Sequence, residues 1–192
     1  MTDFVLIGAL AGALAVAVAA TVAAKRARVQ LAAARELAEL DSLTGLLNQR
    51  SFHEVLTHEV DRARRYERRL ALVVVDVDNF KAINDQIGHL AGNAVLNEVA
   101  RRLRAAVRAT DHACRIGGDE FAVVLPESSS EDAQLLARRI ADAVATPAVE
   151  RAAGLTVSTG ISELLDEDTA NDLFDRADAG LYGAKGARLS RG

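Results

Sequence analysis

A single cysteine, Cys114, is all this chain brings to thiol chemistry. One thiol cannot close an internal disulfide and leaves no Cys cluster for zinc, so Cys114 is expected to be a small core residue in a reducing compartment. An excess of positive charge is lacking too, since 23 Lys and Arg stand against 27 Asp and Glu, a net charge of -4. A nucleic-acid partner calls for a basic domain, so none is expected. Beyond residue 40 there are no internal repeats and no low-complexity tracts. Finally, no Lys or Arg precedes the one long apolar stretch.

That stretch, Phe4 to Ala24, holds no charged side chain and is long enough to cross a hydrocarbon core of about 30 Å as a helix. A secretory signal carries positive charge ahead of its apolar run, and only Asp3 stands there. The positive charge follows instead, as Lys25, Arg26 and Arg28. By the positive-inside rule, residues 1–28 read as a single-pass transmembrane anchor in the inner (cytoplasmic) membrane, with the rest of the chain in the cytoplasm. A buried soluble helix is the alternative. Residues 29–40 are mostly Ala, Leu, Glu and Arg with neither Gly nor Pro, a helical linker.

From Asp41 onward, helical and strand-like spacings alternate. Phe52, Val55, Leu56 and Val60 recur at helical spacing, and Leu70 to Val77 is a nearly continuous Leu/Val run, a strand buried on both faces. Val95, Leu96, Val99 and Leu103 mark a second helix. Ser128 to Ser130 before Glu131 and Asp132 form a capping-box start to a third. Leu155 to Ile161 is another strand, and Leu173, Phe174, Ala177, Leu181 and Ala184 a last amphipathic helix. The order αβαββαβα predicts an α/β (α+β) sandwich, a mixed central sheet flanked by helices, over residues 41–192.

Two acidic clusters carry the chemistry. Gly117-Gly118-Asp119-Glu120 lies between two apolar runs and reads as a hairpin turn, its glycines taking positive φ. Asp76-Val77-Asp78 ends the apolar strand. Were strand and hairpin neighbours, carboxylates would converge with no local Lys or Arg to pair them, and repulsion would raise their pKa values unless a cation sat among them. Carboxylate and carbonyl oxygens suit Mg²⁺ or Mn²⁺, and two such ions serve in-line phosphoryl or nucleotidyl transfer. Between the clusters, Phe80 to His89 reads as a loop and helix start, with Lys81, able to hold phosphates.

In order along the chain stand Asp41-x-Leu-Thr-Gly-Leu-x-Asn48, Asp76-x-Asp-x-Phe-Lys-x-Ile-Asn-Asp85, Gly88-His-x-x-Gly92, Arg115-x-Gly-Gly-Asp-Glu-Phe121 and Ala177-Asp-x-x-Leu-Tyr-x-Ala-Lys185. Over residues 41 to about 188 the sequence resembles the GGDEF-domain diguanylate cyclases. The resemblance implies a fold like the palm of nucleotide cyclases and polymerases. It also implies condensation of two GTP to cyclic di-GMP in a homodimer, each half holding one GTP, with two Mg²⁺ or Mn²⁺ ions per active site. By position, Asp76, Asp119 and the Val77 carbonyl would ligate metal. Glu120 would be, or position, the base for the 3′-hydroxyl. Phe80 and Lys81 would lie in the phosphate loop, Asn84 would meet guanine, and His89 would belong to the substrate site. Arg108 and Asp111, supported by Arg139, resemble a site where product binds and inhibits.

Two departures stand against the family pattern. Its last motif usually runs Ala-Lys-x-x-Gly-Arg-Asn, whereas here Lys185 is in place but Arg188 comes one residue early, ahead of Leu189 and Ser190. Aspartate usually follows Gly-His-x-x-Gly, and this chain has Asn93. A carboxylate accepts guanine's two adjacent N–H donors, whereas an amide accepts only one. Either Asn93 relaxes base choice, or it caps the helix starting there. The alternative to an active cyclase is a degenerate domain that binds GTP or cyclic di-GMP without turnover.

Overall fold

The computed structural model describes residues 20–26, 39–145 and 155–189 of the chain. The chain divides into two units, Met1–Glu39 and Leu40–Gly192. In the first, residues 20–26 are helical and exposed. The anchor expected over 1–28 and the linker over 29–40 otherwise lie outside the described residues. Among the described residues, no helix is long and apolar enough to cross a membrane.

The second unit runs α1 (Gln49–Tyr66), β1 (Leu70–Val77), α2 (Phe80–Ile87), α3 (His89–Ala106), β2 (His112–Arg115), β3 (Glu120–Pro126), α4 (Ser130–Ala145), β4 (Val157–Glu163) and α5 (Ala170–Leu189). The sheet order is β2-β3-β1-β4. All three ladders are antiparallel, and an isolated bridge from Leu47 to Cys114 adds a parallel join. The α1 helix starts on Asn48, whose side-chain oxygen accepts the Ser51 N–H at 3.0 Å. The α4 helix starts on the expected capping box, with Ser129 and Asp132 bonded reciprocally at 3.0 and 3.3 Å.

Every residue of β1 is buried, and its alternation divides the core in two. Ala71, Val73, Val75 and Val77 pack with Val95, Val99 and Leu103 of α3 and Leu136 and Ile140 of α4. Leu70, Leu72 and Val74 pack with Phe52, Leu56 and Val60 of α1 and Leu173, Ala177 and Leu181 of α5. By the same parity Asp76 faces the α1/α5 side, which sets what it meets. Helix α5 lies hard against β4: a Cβ on Gly160 would fall 1.9 Å from the Ala177 carbonyl oxygen. Cys114 is fully buried, and burial pushes its thiol up to about 12, so it is inert core as expected.

One expectation is corrected. Phe80 to Ile87 is a helix and not a loop, and Gly88 (φ 83°, ψ 156°) both ends α2 and starts α3. Only eight residues long and with none fully buried, α2 leaves too short an apolar stripe to show helical period in the sequence.

Candidate active site

Strand β1 delivers Asp76 to the top of the sheet directly opposite Glu120, the first residue of β3. Opposed residues in a ladder share a face, so two carboxylates are set side by side. The hairpin between β2 and β3 closes through the Ile116 N–H donating to the Glu120 carbonyl at 2.9 Å. Its tip docks on β1, where the Val77 N–H donates to the Asp119 carbonyl at 3.1 Å. Strand end and hairpin are therefore neighbours, as the two acidic clusters required.

The glycines work differently from expectation. Neither Gly117 nor Gly118 is among the residues at positive φ. Gly117 is needed for room instead: a Cβ there would lie 2.4 Å from Glu120 Oε2 and 3.2 Å from Glu120 Cβ. The carboxylate of Glu120 thus folds over a bare backbone.

A lysine also enters the cluster, which corrects the expectation of carboxylates without a local cation. Lys185 of α5 places Nζ 2.7 Å from Asp76 Oδ2. The Asp76 side chain is only 7% exposed. Burial pushes its carboxyl up, the Lys185 ammonium pulls it back, and Asp119 and Asp78 push it up again, for a net rise. Glu120 is raised by burial, then by Asp76 and Asp119, with Lys185 opposing. Burial lowers Lys185, but its bond to Asp76 and the charges around it win, so its ammonium is held more firmly than usual. Asp78 stands apart from this cluster, its oxygens accepting the hydroxyls of Thr156 and Ser158 at 2.6 Å each.

Oxygen donors from Asp76, Asp119 and the Val77 carbonyl fit a small hard cation, and the raised carboxyls are those a cation would relieve. Among the described residues, no group of three or more His, Cys, Asp or Glu is already assembled to hold one.

The neighbouring substrate candidates lie on α2 and α3. Asn84 tucks its amide against the first turns of α3, where a Cβ on Gly92 would come 1.8 Å from Asn84 Oδ1. Lys81 and His89 are exposed, and Phe80 is half-buried against the α3/α4 side of the core, so its ring is a packing group and not a loop tip. Asn93 is exposed, the fifth residue of a helix capped by Gly88, so it does not cap that helix. Arg188 belongs to α5, and its side chain lies outside the described residues.

A second locus forms where α3 meets β2. Asp111 Oδ2 accepts the Arg108 backbone N–H at 2.8 Å, while Asp111 Oδ1 is buried with no partner. The Arg108 side chain is exposed, and both residues line an open cavity of about 350 Å³ with Arg104 and His112. Arg139 reaches across from α4 to donate to the Ala106 carbonyl, tying the end of α3.

One link was missed in the sequence although both partners stand in the quoted motifs. Arg115 donates to Asp41 Oδ1 and Oδ2 at 3.0 and 3.1 Å and to the Gly118 carbonyl at 2.7 Å. Asp41 also accepts from the Thr44 N–H and hydroxyl at 2.8 and 2.6 Å. One guanidinium thereby ties the domain's first turn to the hairpin tip.

Residues 38–191 match the family described as diguanylate cyclase, GGDEF domain, and the chain belongs to that family. The diguanylate cyclase DgcS of Shewanella oneidensis is 40% identical over 148 residues, covering 77% of this chain and 50% of that protein. A crystal structure of the coiled coil and GGDEF domain of DgcB from Caulobacter crescentus, in complex with c-di-GMP, superimposes with TM-score 0.81 at 29% identity, covering 88% of this chain and 91% of that one. The diguanylate cyclase SiaD from Pseudomonas aeruginosa, solved with its activator SiaC, gives TM-score 0.77 at 35% identity over 90% of this chain and 67% of that one. The chain spans half or less of the length of the curated relatives it matches first.

Proposed function

We propose that this chain is a diguanylate cyclase that condenses two GTP to cyclic di-GMP. The observation that carries the proposal is the Asp76–Glu120 pairing at the top of the sheet, with the Asp119 carbonyl bonded to Val77 and Lys185 reaching in from α5. Asp76, Asp119 and the Val77 carbonyl would hold Mg²⁺ or Mn²⁺, two ions per active site. When bound, these ions would supply charge for an attack on the α-phosphate. Glu120, its carboxyl pushed up by burial and by Asp76 and Asp119, takes the proton of the attacking 3′-hydroxyl or orients that group. Lys185 turns from Asp76 to the triphosphate when substrate and metal enter, and Arg188 and Lys81 extend that contact. Asn84 and Asn93 face the base, with His89 beside them. Joining two GTP needs two such sites face to face, so the active form is a homodimer.

The cavity beside Arg108 and Asp111 suits the product as a feedback inhibitor. The unpartnered Asp111 Oδ1 is an acceptor for a base N–H, and Arg108 offers an exposed guanidinium to a phosphate. Residues 1–28 anchor the enzyme in the inner membrane with its catalytic domain in the cytoplasm, on the apolar run and its basic flank. Incubation with GTP and Mg²⁺ tests the proposal: mass spectrometry finds cyclic di-GMP, and a chelator abolishes it. Bound but unconverted GTP would identify the chain as a binding domain instead.

A further inference from the structure

Asp78 closes the run Asp76-Val77-Asp78 but has no part in the chemistry proposed above. Its Oδ2 accepts the Thr156 hydroxyl and its Oδ1 the Ser158 hydroxyl, each at 2.6 Å, the length of a charge-assisted O–H···O⁻ bond. Its backbone N–H donates to the Thr156 carbonyl at 3.0 Å, one step past the Val77↔Val157 pair that ends the β1–β4 ladder. The residue after β1 is thus joined to the start of β4 through both its backbone and its side chain. Ser158 is buried and stands directly opposite Asp76.

These bonds set the direction of a carbonyl. Strand β1 lies between β3 and β4, and the Asp78 N–H points to β4. The Val77–Asp78 peptide is trans, so the Val77 carbonyl points the opposite way, to the side of the hairpin. The Val77 N–H, donating to the Asp119 carbonyl at 3.1 Å, faces that same side. Directly after Asp78 the chain turns: Asn79 stands in the left-handed region at φ 55° and opens α2 with no side-chain cap bond. Such backbone persists only where its surroundings hold it, and Asp78 is the adjoining residue. An apolar pair would join β1 to β4 as well. A further carboxylate instead pushes the Asp76 carboxyl up, a cost that the aiming of the Val77 carbonyl accounts for.

We propose that Asp78 is a positioning residue for the metal ions of the cyclase reaction. Held by the hydroxyls of Thr156 and Ser158, it fixes the Val77–Asp78 peptide so that the Val77 carbonyl faces the hairpin that carries Asp119. The inference rests on the reading of Asp76, Asp119 and the Val77 carbonyl as ligands of Mg²⁺ or Mn²⁺. Groups that orient a ligand without touching the metal commonly change metal affinity by about 10- to 100-fold when altered. Both Asp78 oxygens are engaged by hydroxyls, so this carboxylate aims a ligand and is not one itself.

The test is titration of the full chain in detergent with Mn²⁺, followed by the electron paramagnetic resonance signal of the free ion. Native protein is compared with Thr156→Val/Ser158→Ala, which removes both hydroxyls but keeps the Asp78 charge, with Thr156→Ser and with Asp76→Ala. Thermal melting without metal checks each fold, and Thr156→Val alone, at a half-buried position, gives the same comparison with less burden on the fold. The double variant is expected to bind Mn²⁺ at least about tenfold more weakly and to need as much more Mn²⁺ for half-maximal conversion of GTP. Thr156→Ser, which keeps the hydroxyl, should stay within about twofold of native. Native Mn²⁺ affinity in the double variant overturns the proposal, even where its rate at saturating Mn²⁺ falls, because that pattern is a structural effect. Equal weakening in Thr156→Ser overturns it too, since the hydroxyl would not be what matters. Mn²⁺ binding that Asp76→Ala leaves unchanged defeats the ligand assignment and this proposal with it. Binding lost in Asp76→Ala but native in the double variant defeats the role of Asp78 alone.

Discussion

Arg115 and Asp41 form a two-pronged ion pair at 3.0 and 3.1 Å, and the same guanidinium holds the Gly118 carbonyl. The residue where the domain begins is thereby tied to the turn that carries Asp119 and Glu120. The Asp41 carboxyl is lowered on balance: burial raises it, but the bonds from Thr44 and Arg115 outweigh that. The pair therefore adds stability above the usual carboxylate range and loses it as pH falls through the depressed value. Arg115→Lys keeps the charge but loses the fork. We expect it to cost about 1–3 kcal/mol in denaturant unfolding and to lower kcat more than it raises KM for GTP. An effect on KM alone would place Arg115 in binding instead.

Gly160→Ala tests how Lys185 is delivered. The new methyl would meet the Ala177 carbonyl at 1.9 Å and the Leu181 N at 2.4 Å, both backbone atoms that cannot swing aside. Helix α5 must lift from β4, at a cost of about 3 kcal/mol or more. The displaced Lys185 should then weaken GTP binding at temperatures where the variant remains folded, read as a raised KM.

Glu120 sets a pH dependence. Its folded-state pKa is raised by burial first and by Asp76 and Asp119 next, so folding disfavours the charged carboxylate relative to the unfolded chain. Stability from this group is complete below the ordinary carboxylate value and is lost as pH rises through the raised one. With no divalent metal, Glu120→Gln should therefore melt higher than native at pH 7.5 and equally at pH 4. The gain is about 1 kcal/mol at most, because solvent screens a partly exposed group. An equal difference at both pH values would remove the electrostatic cause.

Much of this was legible in the sequence. The nearly continuous Leu/Val run from Leu70 to Val77 marked the central strand, while its place beside the hairpin carboxylates was only a condition in the sequence and comes from the ladder register that sets Asp76 opposite Glu120. Lys185 against Asp76 was not legible, because it depends on how closely α5 approaches β4, which Gly160 decides in three dimensions. The α2–α3 division was hidden because α2 buries no residue fully and Gly88 serves both helices. The glycine pair was read by its commonest use, positive φ, where Gly117 instead makes room for Glu120.

Asn93 is the residue through which base choice is expected to depart from the family pattern. Exposed on α3 next to Gly92, it is not spent on capping, so its amide is available to a base. It accepts one of guanine's two donors and matches adenine's donor-acceptor pair. Losing one bond costs about 1–3 kcal/mol, roughly one to two decades of selectivity. Offered equal GTP and ATP, the native protein should form more adenine-containing product than Asn93→Asp. Identical product ratios would show that Asn93 does not set base choice.

The most direct test of the catalytic assignment compares native protein with Asp119→Ala and Glu120→Gln, each given GTP and Mg²⁺, with cyclic di-GMP quantified by mass spectrometry. Native protein should make cyclic di-GMP, and both variants should make it at least about 100-fold more slowly. Cyclic di-GMP formed at the native rate by either variant, or none formed by the native protein, would contradict the account.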